Sequence, residues 1–311
     1  MTTLRAESGD LTETAPTVVP LRHPGRIAAA VVLALIVAQV AYVLCTNDRF
    51  GWDVVRHYLF AGRVLRGVWL SVWLTVVSMV AGLVLGVVLA VMRLSANPVA
   101  RWTSWVYVWL FRSTPVLVQL VFWYNLSALF PRVGLSVPFG GPEIWTTSAN
   151  SAITPLTAAI LGLALNEAAY MAEIIRSGIL SVDAGQAEAA TAFGMTRLKA
   201  LRRVILPQAM RVIAPPTGNE LITMLKTTAL VSTVAVSDLM YTVQQISAAN
   251  FEVIPLLIAA SLWYLALVSV LMLGQAQLER RLNRSLVRTV RVRTPRRRRS
   301  VPTLTRGSEH V

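Results

Sequence analysis

The feature that most constrains this chain is a series of long apolar runs separated by short segments rich in arginine. Each run holds about 19 residues or more, which is the length that an α-helix needs to cross the hydrocarbon core of a bilayer. The runs cover residues 27–45, 67–92, 103–129, 154–175, 212–239 and 254–275. Charged residues make up only 14% of the chain, against roughly 25% in soluble domains. The sequence therefore predicts an all-α polytopic membrane protein with about six transmembrane helices.

The distribution of basic residues predicts the orientation of these helices. Basic residues cluster at 22–26, 93–101, 176–211 and 280–306, whereas the loops on the other side are nearly free of them after the first hairpin. Because cytoplasmic loops carry the excess of Lys and Arg, both termini are predicted to be cytoplasmic. Arginine greatly outnumbers lysine, and alanine and valine are abundant, which is typical of a GC-rich bacterial genome. We therefore expect a multi-pass protein of the bacterial cytoplasmic membrane.

The two ends of the chain are predicted to lie outside the membrane. Residues 1–26 are polar and show no periodicity, which favours a disordered cytoplasmic tail. No cleavage motif follows the run 27–45, so this run is predicted to be a retained span and not a signal peptide. Residues 276–311 form a basic cytoplasmic tail that could suggest nucleic acid. Because its positive charges begin directly after a span, we predict membrane lipid and no nucleic acid as its partner.

The chain lacks the residue sets that metal or nucleophilic chemistry would need. Its single cysteine, Cys45, cannot form an internal disulfide. The histidines His23, His57 and His310 are scattered and give no metal-ligand spacing. No Gly-x-x-x-x-Gly-Lys-Ser/Thr loop is present either, so any ATP chemistry must reside on another polypeptide. We therefore predict that the chain is not an enzyme and that it holds no metal site and no cofactor of its own.

Polar and ionisable residues recur inside three of the predicted spans. Such residues are costly in a bilayer and usually face a cavity or a partner. At 100° per residue they align along one face, or its flank, in each of the third, fourth and fifth spans. With Thr114 beside Pro115, the predicted substrate pathway or gate consists of Arg112, Thr114, Pro115, Gln119, Asn166, Glu167, Tyr170, Glu173, Asn219, Glu220 and Lys226. Serine and threonine could equally serve as interhelical hydrogen-bonding groups, and Glu173 could instead pair with Arg176 near the inner interface.

A short charged segment, residues 183–207, lies between the fourth and fifth spans. It contains Glu188-Ala189-Ala190, then Gly194, then Leu206-Pro207. This pattern predicts a short helix with a small, closely approachable surface and an end at the Leu-Pro pair. Because the segment also carries several basic residues, it cannot cross the bilayer. We predict that this segment, called the coupling segment below, lies on the cytoplasmic side and meets a partner.

The coupling segment resembles the EAA loop of the membrane subunits of ABC importers. The stretches FRSTPVLVQL, NEAAYMAEIIRSGILSVDAGQ and RVILPQAMRVIAPPTGNELITMLKTTALVS resemble the polar amino-acid (His/Glu/Gln/Arg/opine) permeases of that superfamily. The resemblance runs from about residue 63 to 275. The chain departs from the usual pattern at Val204, at Ser113 and at 166–168, where Asn-Glu-Ala replaces Asn-Ser-Gly. The run 27–45 lies outside the common five-helix core and resembles an added N-terminal helix.

The resemblance implies a binding-protein-dependent importer of a polar amino acid. An extracytoplasmic solute-binding protein would deliver the amino acid to a pair of permease subunits, identical or paralogous. Separate ATPase subunits would hold ATP and Mg²⁺ and would act through the coupling segment. The residues implied in this coupling are Glu188, Ala189, Ala190, Gly194, Leu206 and Pro207. An ion-coupled secondary amino-acid transporter is the alternative, although it would need inverted repeats, which the sequence does not display.

Overall fold

The computed structural model describes residues 24–136, 141 and 143–287, and it divides into two units. The first unit extends to Gly51. Its described part is helix α1 (Pro24–Thr46), followed by a single 3₁₀ turn (Asp48–Phe50). The side chains of α1 are exposed on every face. Its segment Gly25–Thr46, 22 residues long, is long and apolar enough to cross a membrane. The predicted span 27–45 is therefore one continuous helix.

The second unit begins at Trp52 and is almost wholly helical in the part that is described. Its elements are α2 (Trp52–Leu59), α3 (Gly62–Leu94), α4 (Pro98–Ser113), α5 (Val116–Tyr124), α6 (Leu126–Leu129), β1 (Arg132–Ser136), β2 (Glu143–Ser148), α7 (Ala149–Ala152), α8 (Pro155–Leu180), α9 (Ala184–Ala192), α10 (Arg197–Ala200), α11 (Leu206–Thr227), α12 (Leu239–Asn250) and α13 (Val253–Val287). A π-helical stretch (Leu201–Ile205) joins α10 to α11, and a 3₁₀ stretch (Thr228–Val234) follows α11.

Four helices in the described part of the chain, α1, α3, α8 and α13, are long and apolar enough to cross a membrane. Two bent pairs bring the number to six if each pair is counted as one span. The first pair is α4 with α5, which meet at 101°, and the second joins α11 to α12 at 46°. The prediction of an all-α polytopic membrane protein with about six spans is confirmed.

Glycines place α3 directly against α8 at the centre of the second unit. A Cβ atom added to Gly82 would lie 2.7 Å from the Cβ of Glu167, and one added to Gly86 would lie 2.6 Å from the Cβ of Met171. Small residues spaced four apart let two helix backbones approach closely within a bilayer. Because position 82 meets 167 and position 86 meets 171, the two helices run in the same direction.

We expect Gly86→Val to destabilise the fold, because the added side chain would overlap both Met171 and the backbone nitrogen of Ala172. Overpacking of this kind costs about 1–3 kcal/mol. The matched control is Gly274→Val in α13, where a Cβ would meet no atom within 4 Å. Thermal unfolding of the purified variants, followed by size-exclusion chromatography, should show a lowered midpoint for Gly86→Val alone. Equal midpoints would contradict close contact between α3 and α8.

Helix α4 lies beside this pair and is tied to both members by hydrogen bonds. The buried Ser104 hydroxyl donates to the carbonyl oxygen of Leu89 on α3 at 2.8 Å. The Tyr107 hydroxyl donates to the carbonyl oxygen of Leu165 on α8 at 2.9 Å. These bonds satisfy polar side chains away from water, and they join α3, α4 and α8 into one group of helices.

The predicted third span, 103–129, is divided between α4 and α5, because the chain turns sharply at Pro115, where proline is expected to break a helix. Pro115 has no N–H to donate, and it forces the preceding Thr114 into an extended conformation (φ −106°, ψ 137°). The carbonyl oxygen of Phe111, four residues earlier, therefore loses its helical donor. The Gln119 amide replaces that donor at 3.0 Å and also lies 2.8 Å from the Thr114 hydroxyl.

Pro215 and Pro216 behave differently, because α11 continues through both of them. Proline within a span predicts a break and freed backbone groups here as at Pro115, and for Pro215 and Pro216 that prediction of a break is wrong. The carbonyl oxygens that these prolines free are those of Arg211 and Val212, four residues earlier. The Gln275 amide of α13 donates to the Pro215 carbonyl oxygen at 3.3 Å. The chain instead turns at Ala235, which has a φ of 59°. Asp238 then caps α12 by accepting from the Tyr241 backbone N–H at 2.9 Å.

Three further predicted boundaries differ from the structure. The predicted outer loop 130–152 contains an antiparallel hairpin of β1 and β2, and the predicted loop 240–253 is mostly helix α12. Helix α13 extends to Val287, so the basic tail predicted from residue 276 begins inside a helix. The remainder of that tail, and residues 1–23 of the N-terminal tail, lie outside the described residues.

Candidate substrate cavity and coupling surface

A cavity of about 520 Å³ lies where the broken span of α4 and α5 faces α8 and α11. Its lining includes residues from the sequence-predicted pathway on all three spans, namely Arg112, Thr114, Pro115, Asn166, Glu167, Tyr170 and Glu220. The other lining residues are Ser113, Val116, Leu163, Thr223, Met224 and Thr227. Thr223 and Thr227 lie on or beside the face of α11 that helical periodicity predicts to be polar. Nothing in the sequence distinguishes the apolar residues that line the cavity.

The break between α4 and α5 shapes one wall of this cavity. The carbonyl oxygen of Phe111, freed by Pro115, accepts from Gln119 and also from the Asn166 amide of α8 at 2.9 Å. Two side-chain amides thus take the place of one missing backbone N–H. This arrangement holds Arg112 and Thr114 at the cavity rather than inside a continuous helix.

Arg112 supplies the positive charge of the cavity. Its guanidinium carbon lies 5.1 Å from the centre of the Tyr170 ring, which is the geometry of a cation–π contact. Within the described residues, Arg112 makes no ion pair. Its donors are therefore available to an anionic group that enters the cavity.

Two carboxylates, on different helices, face the same cavity. Glu167 on α8 is 4% exposed, and its Oε1 atom has no hydrogen-bond partner within the described part of the chain. Glu220 on α11 is half-buried. A buried charge without a partner is costly, so this pair is suited to receive a positively charged ligand.

Four other predicted pathway residues do not line this cavity. Gln119 is buried and fills the break, as described above. Glu173 accepts from the Arg176 guanidinium, with Nε 3.1 Å from Oε1 and 3.0 Å from Oε2, which is the alternative that the sequence left open. The Oδ1 atom of Asn219 accepts from Gln275 at 2.9 Å, and Lys226 is exposed. A pathway role for these four stays a prediction.

The proposed common face of Arg112, Pro115 and Gln119 is wrong. That face assumed one straight helix with 100° between residues, whereas α4 and α5 diverge by 101° at Pro115. Arg112 and Gln119 therefore belong to different helices. Of these two residues, only Arg112 lines the cavity.

The coupling segment contains the short helix α9, which ends at Gly194. The Asp183 carboxylate caps its start by accepting from the Gly185 N–H at 2.7 Å. Gly194 has a φ of 72°, and the following Met195 N–H donates back to the Ala190 carbonyl oxygen at 3.0 Å. This is the usual way in which glycine closes a helix.

Leu206 and Pro207 do not end a helix, contrary to the prediction. Leu206 is the first residue of α11, and Pro207 follows it within the first turn. The residues directly before it, Leu201–Ile205, are π-helical, with the Leu206 N–H donating to the Leu201 carbonyl oxygen, so Pro207 lies at a local irregularity of a continuing helix. The Leu-Pro pair thus marks the start of the helix that leads from the coupling segment to the cavity.

The surface of the coupling segment combines charge with exposed apolar groups. Glu188 and Ala189 are exposed, whereas Ala190 is buried. Phe193 is 84% exposed and Leu198 is 59% exposed. Large apolar side chains exposed together usually mark an interaction site. Sequence reasoning missed Phe193 and Leu198, although apolar residues in a segment too charged for the membrane were a usable signal.

Comparison with known proteins agrees with this architecture. Residues 82–284 match the family described as "Binding-protein-dependent transport system inner membrane component". The chain is 47% identical over 275 residues to the arginine transport system permease protein ArgU of Corynebacterium glutamicum, covering 88% of this chain and 85% of that protein. It is 39% identical over 193 residues to the L-cystine transport system permease protein TcyB of Bacillus subtilis, covering 62% of this chain and 74% of that protein.

A solved structure is similar as well. The crystal structure of an amino acid ABC transporter with histidines shares 33% sequence identity with this chain at a TM-score of 0.60. The match covers 71% of this chain and 95% of that chain. The chain therefore belongs to the binding-protein-dependent transport system inner membrane components, and within them to the amino-acid ABC importer permeases.

Proposed function

We propose that this permease subunit carries a basic amino acid through the cavity between α4, α5, α8 and α11. The observation that supports this proposal is the meeting of one arginine and two glutamates from three different spans in a single cavity. Arg112 would receive the α-carboxylate of the substrate in a bidentate, charge-assisted hydrogen bond. Glu167 and Glu220 would receive the α-ammonium group and the cationic side chain.

Charge balance favours a basic substrate over a neutral one. With both glutamates ionised beside a bound cation, the cavity would carry one positive and two negative charges, whereas a basic amino acid carries one negative and two positive charges at neutral pH. A neutral amino acid would leave one carboxylate without a partner, and a buried unpaired charge is strongly unfavourable. The similarity to ArgU, an arginine transport permease, supports the same substrate class.

The driving force would come from ATP hydrolysis on separate ATPase subunits, which would hold ATP and Mg²⁺. The exposed coupling segment would bind a cleft on each ATPase through Glu188, Ala189 and the apolar side chains of Phe193 and Leu198. Ala190 and Gly194 would set the shape of the segment, and Leu206 and Pro207 would pass its displacement to α11. This is rigid-body coupling between two distant sites.

The remaining partners follow from the importer architecture. A solute-binding protein would deliver the amino acid on the extracytoplasmic side, and a second permease subunit, identical or paralogous, would complete the passage. Both termini would lie in the cytoplasm, as the distribution of arginine predicts.

Reconstitution separates this proposal from the ion-coupled alternative. We expect proteoliposomes that hold the full complex to accumulate radiolabelled arginine only with ATP on the ATPase side and binding protein on the other. The control omits the ATPase subunits and applies a sodium or proton gradient. Uptake by the permease alone under such a gradient would favour an ion-coupled secondary transporter.

A further inference from the structure

Another cavity, open to the surface and lined mostly by exposed residues, lies at the turn between α3 and α4. This turn is at the same end of the helix bundle as α9. Arg93 near the end of α3 and Arg101 near the start of α4 line it, and one guanidinium nitrogen of Arg93 lies 3.4 Å from the Arg101 carbonyl oxygen. The cavity measures about 500 Å³, and its other lining residues are Pro98, Val99, Trp102 and Trp105. This position is far along α3 from the Gly82 level of the substrate cavity.

The lining of this turn is positive, and Glu173 of α8, which pairs with Arg176, is an acidic group near enough to interact electrostatically with Arg93. None of the six lining residues is acidic, and within the described residues neither Arg93 nor Arg101 forms an ion pair. The N-terminus of α4 lies at the same turn, where Asn97 caps it by accepting from the Val99 N–H at 2.9 Å. The positive end of that helix dipole adds to the field of the two guanidinium groups. Planar guanidinium groups are suited to bind the oxygens of a phosphate in pairs.

A stripe of tryptophan runs from this turn along the outer face of α4. Trp102, Trp105 and Trp109 are 66%, 44% and 56% exposed, and their spacing places them on one side of the helix. The rings of Trp105 and Trp109 stack with centroids 6.3 Å apart and planes 10° apart. Tryptophan is enriched where the hydrocarbon of a bilayer meets the headgroups. The stripe therefore offers an apolar surface that continues from the basic turn into the span.

We propose that this turn and stripe form a binding site for an anionic phospholipid. The headgroup phosphate lies between Arg93 and Arg101, and an acyl chain lies along Trp102, Trp105 and Trp109. The positive pocket lies at the end of two spanning helices, where a lipid phosphate would lie. The aromatic stripe continues from it into the span, where the acyl chain of the same lipid would lie. A soluble anion would bind only the basic turn. A soluble polypeptide would not contact both the basic turn and the tryptophan stripe, because the stripe continues into the span.

The test is native mass spectrometry of the purified full-length chain, titrated with phosphatidylglycerol and separately with phosphatidylcholine. Arg93→Gln combined with Arg101→Gln is expected to weaken phosphatidylglycerol binding about 30-fold, because each arginine near an anionic headgroup contributes about 1 kcal/mol and 1.4 kcal/mol is tenfold in affinity. The matched control, Arg63→Gln with Arg66→Gln, removes two exposed charges from the opposite end of α3. It should retain binding within about twofold of the unmodified chain.

Two more variants keep the test decisive. Arg93→Lys with Arg101→Lys retains charge and fold, and should bind more tightly than the glutamine pair. Trp102→Ala with Trp105→Ala should remove the preference for long-chain over short-chain phosphatidylglycerol. Equal binding of phosphatidylcholine, or an equal loss in the Arg63 and Arg66 control, would overturn the proposal. A changed oligomeric state with unaltered lipid binding would also overturn it, since the face would then be a subunit interface.

Discussion

Replacing Gly194 with aspartate, or Glu188 with lysine, is expected to abolish ATP-driven uptake while the chain still inserts into the membrane. Gly194 has a φ of 72°, where a residue with a side chain costs about 1–2 kcal/mol. A Cβ at this position would meet no atom of the chain within 4 Å, so the fold can accept the change. Glu188 is exposed, and its reversal of charge likewise leaves the core untouched. The loss should therefore arise at the partner surface.

The measurements are arginine uptake by proteoliposomes and copurification of the ATPase with each variant. Gln186→Lys serves as the control, because Gln186 is exposed in the same helix but points about 200° away from Glu188. The control is expected to keep both uptake and ATPase binding. Unimpaired uptake together with normal ATPase binding in the Gly194 and Glu188 variants would refute the coupling assignment.

Glu167→Gln is expected to reduce the uptake of basic amino acids by roughly 30-fold or more, with a much smaller effect on neutral ones. The substitution keeps the shape of a side chain that packs against Gly82, but it removes a buried negative charge. Removing one partner of a buried, hydrogen-bonded charge pair costs about 2–5 kcal/mol. The preference of the cavity for a doubly positive ligand should consequently fall.

Competition between labelled arginine and unlabelled neutral amino acids in the reconstituted complex measures this preference. Glu252→Gln is the control, since Glu252 is an exposed carboxylate between α12 and α13 and does not line the cavity. The control should leave the substrate profile unaltered. A profile that is identical in Glu167→Gln and the unmodified chain would defeat the assignment of Glu167.

The spans and the polar residues of the cavity could be predicted because each depends on local composition. Apolar length determines whether a helix can cross a bilayer, and a charge such as Arg112 or Glu167 within a span is conspicuous wherever the helix packs. Helical periodicity then placed Glu167, Tyr170 and Glu220 near one interior. The cavity contains all of them.

Proline predicts a helix break at Pro115 and at Pro215-Pro216 alike, but which of them bends the chain could not be predicted, because the outcome depends on tertiary packing. Pro115 ends a helix, whereas Pro215 and Pro216 do not. At Pro115 the freed carbonyl oxygen of Phe111 finds Gln119 and Asn166, and a bend results. At Pro215 and Pro216 the helix continues, although the two prolines free the carbonyl oxygens of Arg211 and Val212. The exposure of Phe193 and Leu198 is equally a result of tertiary packing, which periodicity does not reveal.

The contacts of α8 determine which wall of the cavity can move. Helices α3, α4 and α8 are joined by glycine contacts and by bonds to the carbonyls of Leu89 and Leu165, so Glu167 is carried by a rigid frame. Helix α11 contacts α8 at Gly178, where an added Cβ would lie 2.3 Å from a side-chain carbon of Ile213. That contact can serve as a fulcrum between the coupling segment and Glu220. A stroke at α9 would then swing Glu220 toward or away from a stationary Glu167, and the grip on a cation would tighten or release without deformation of the frame.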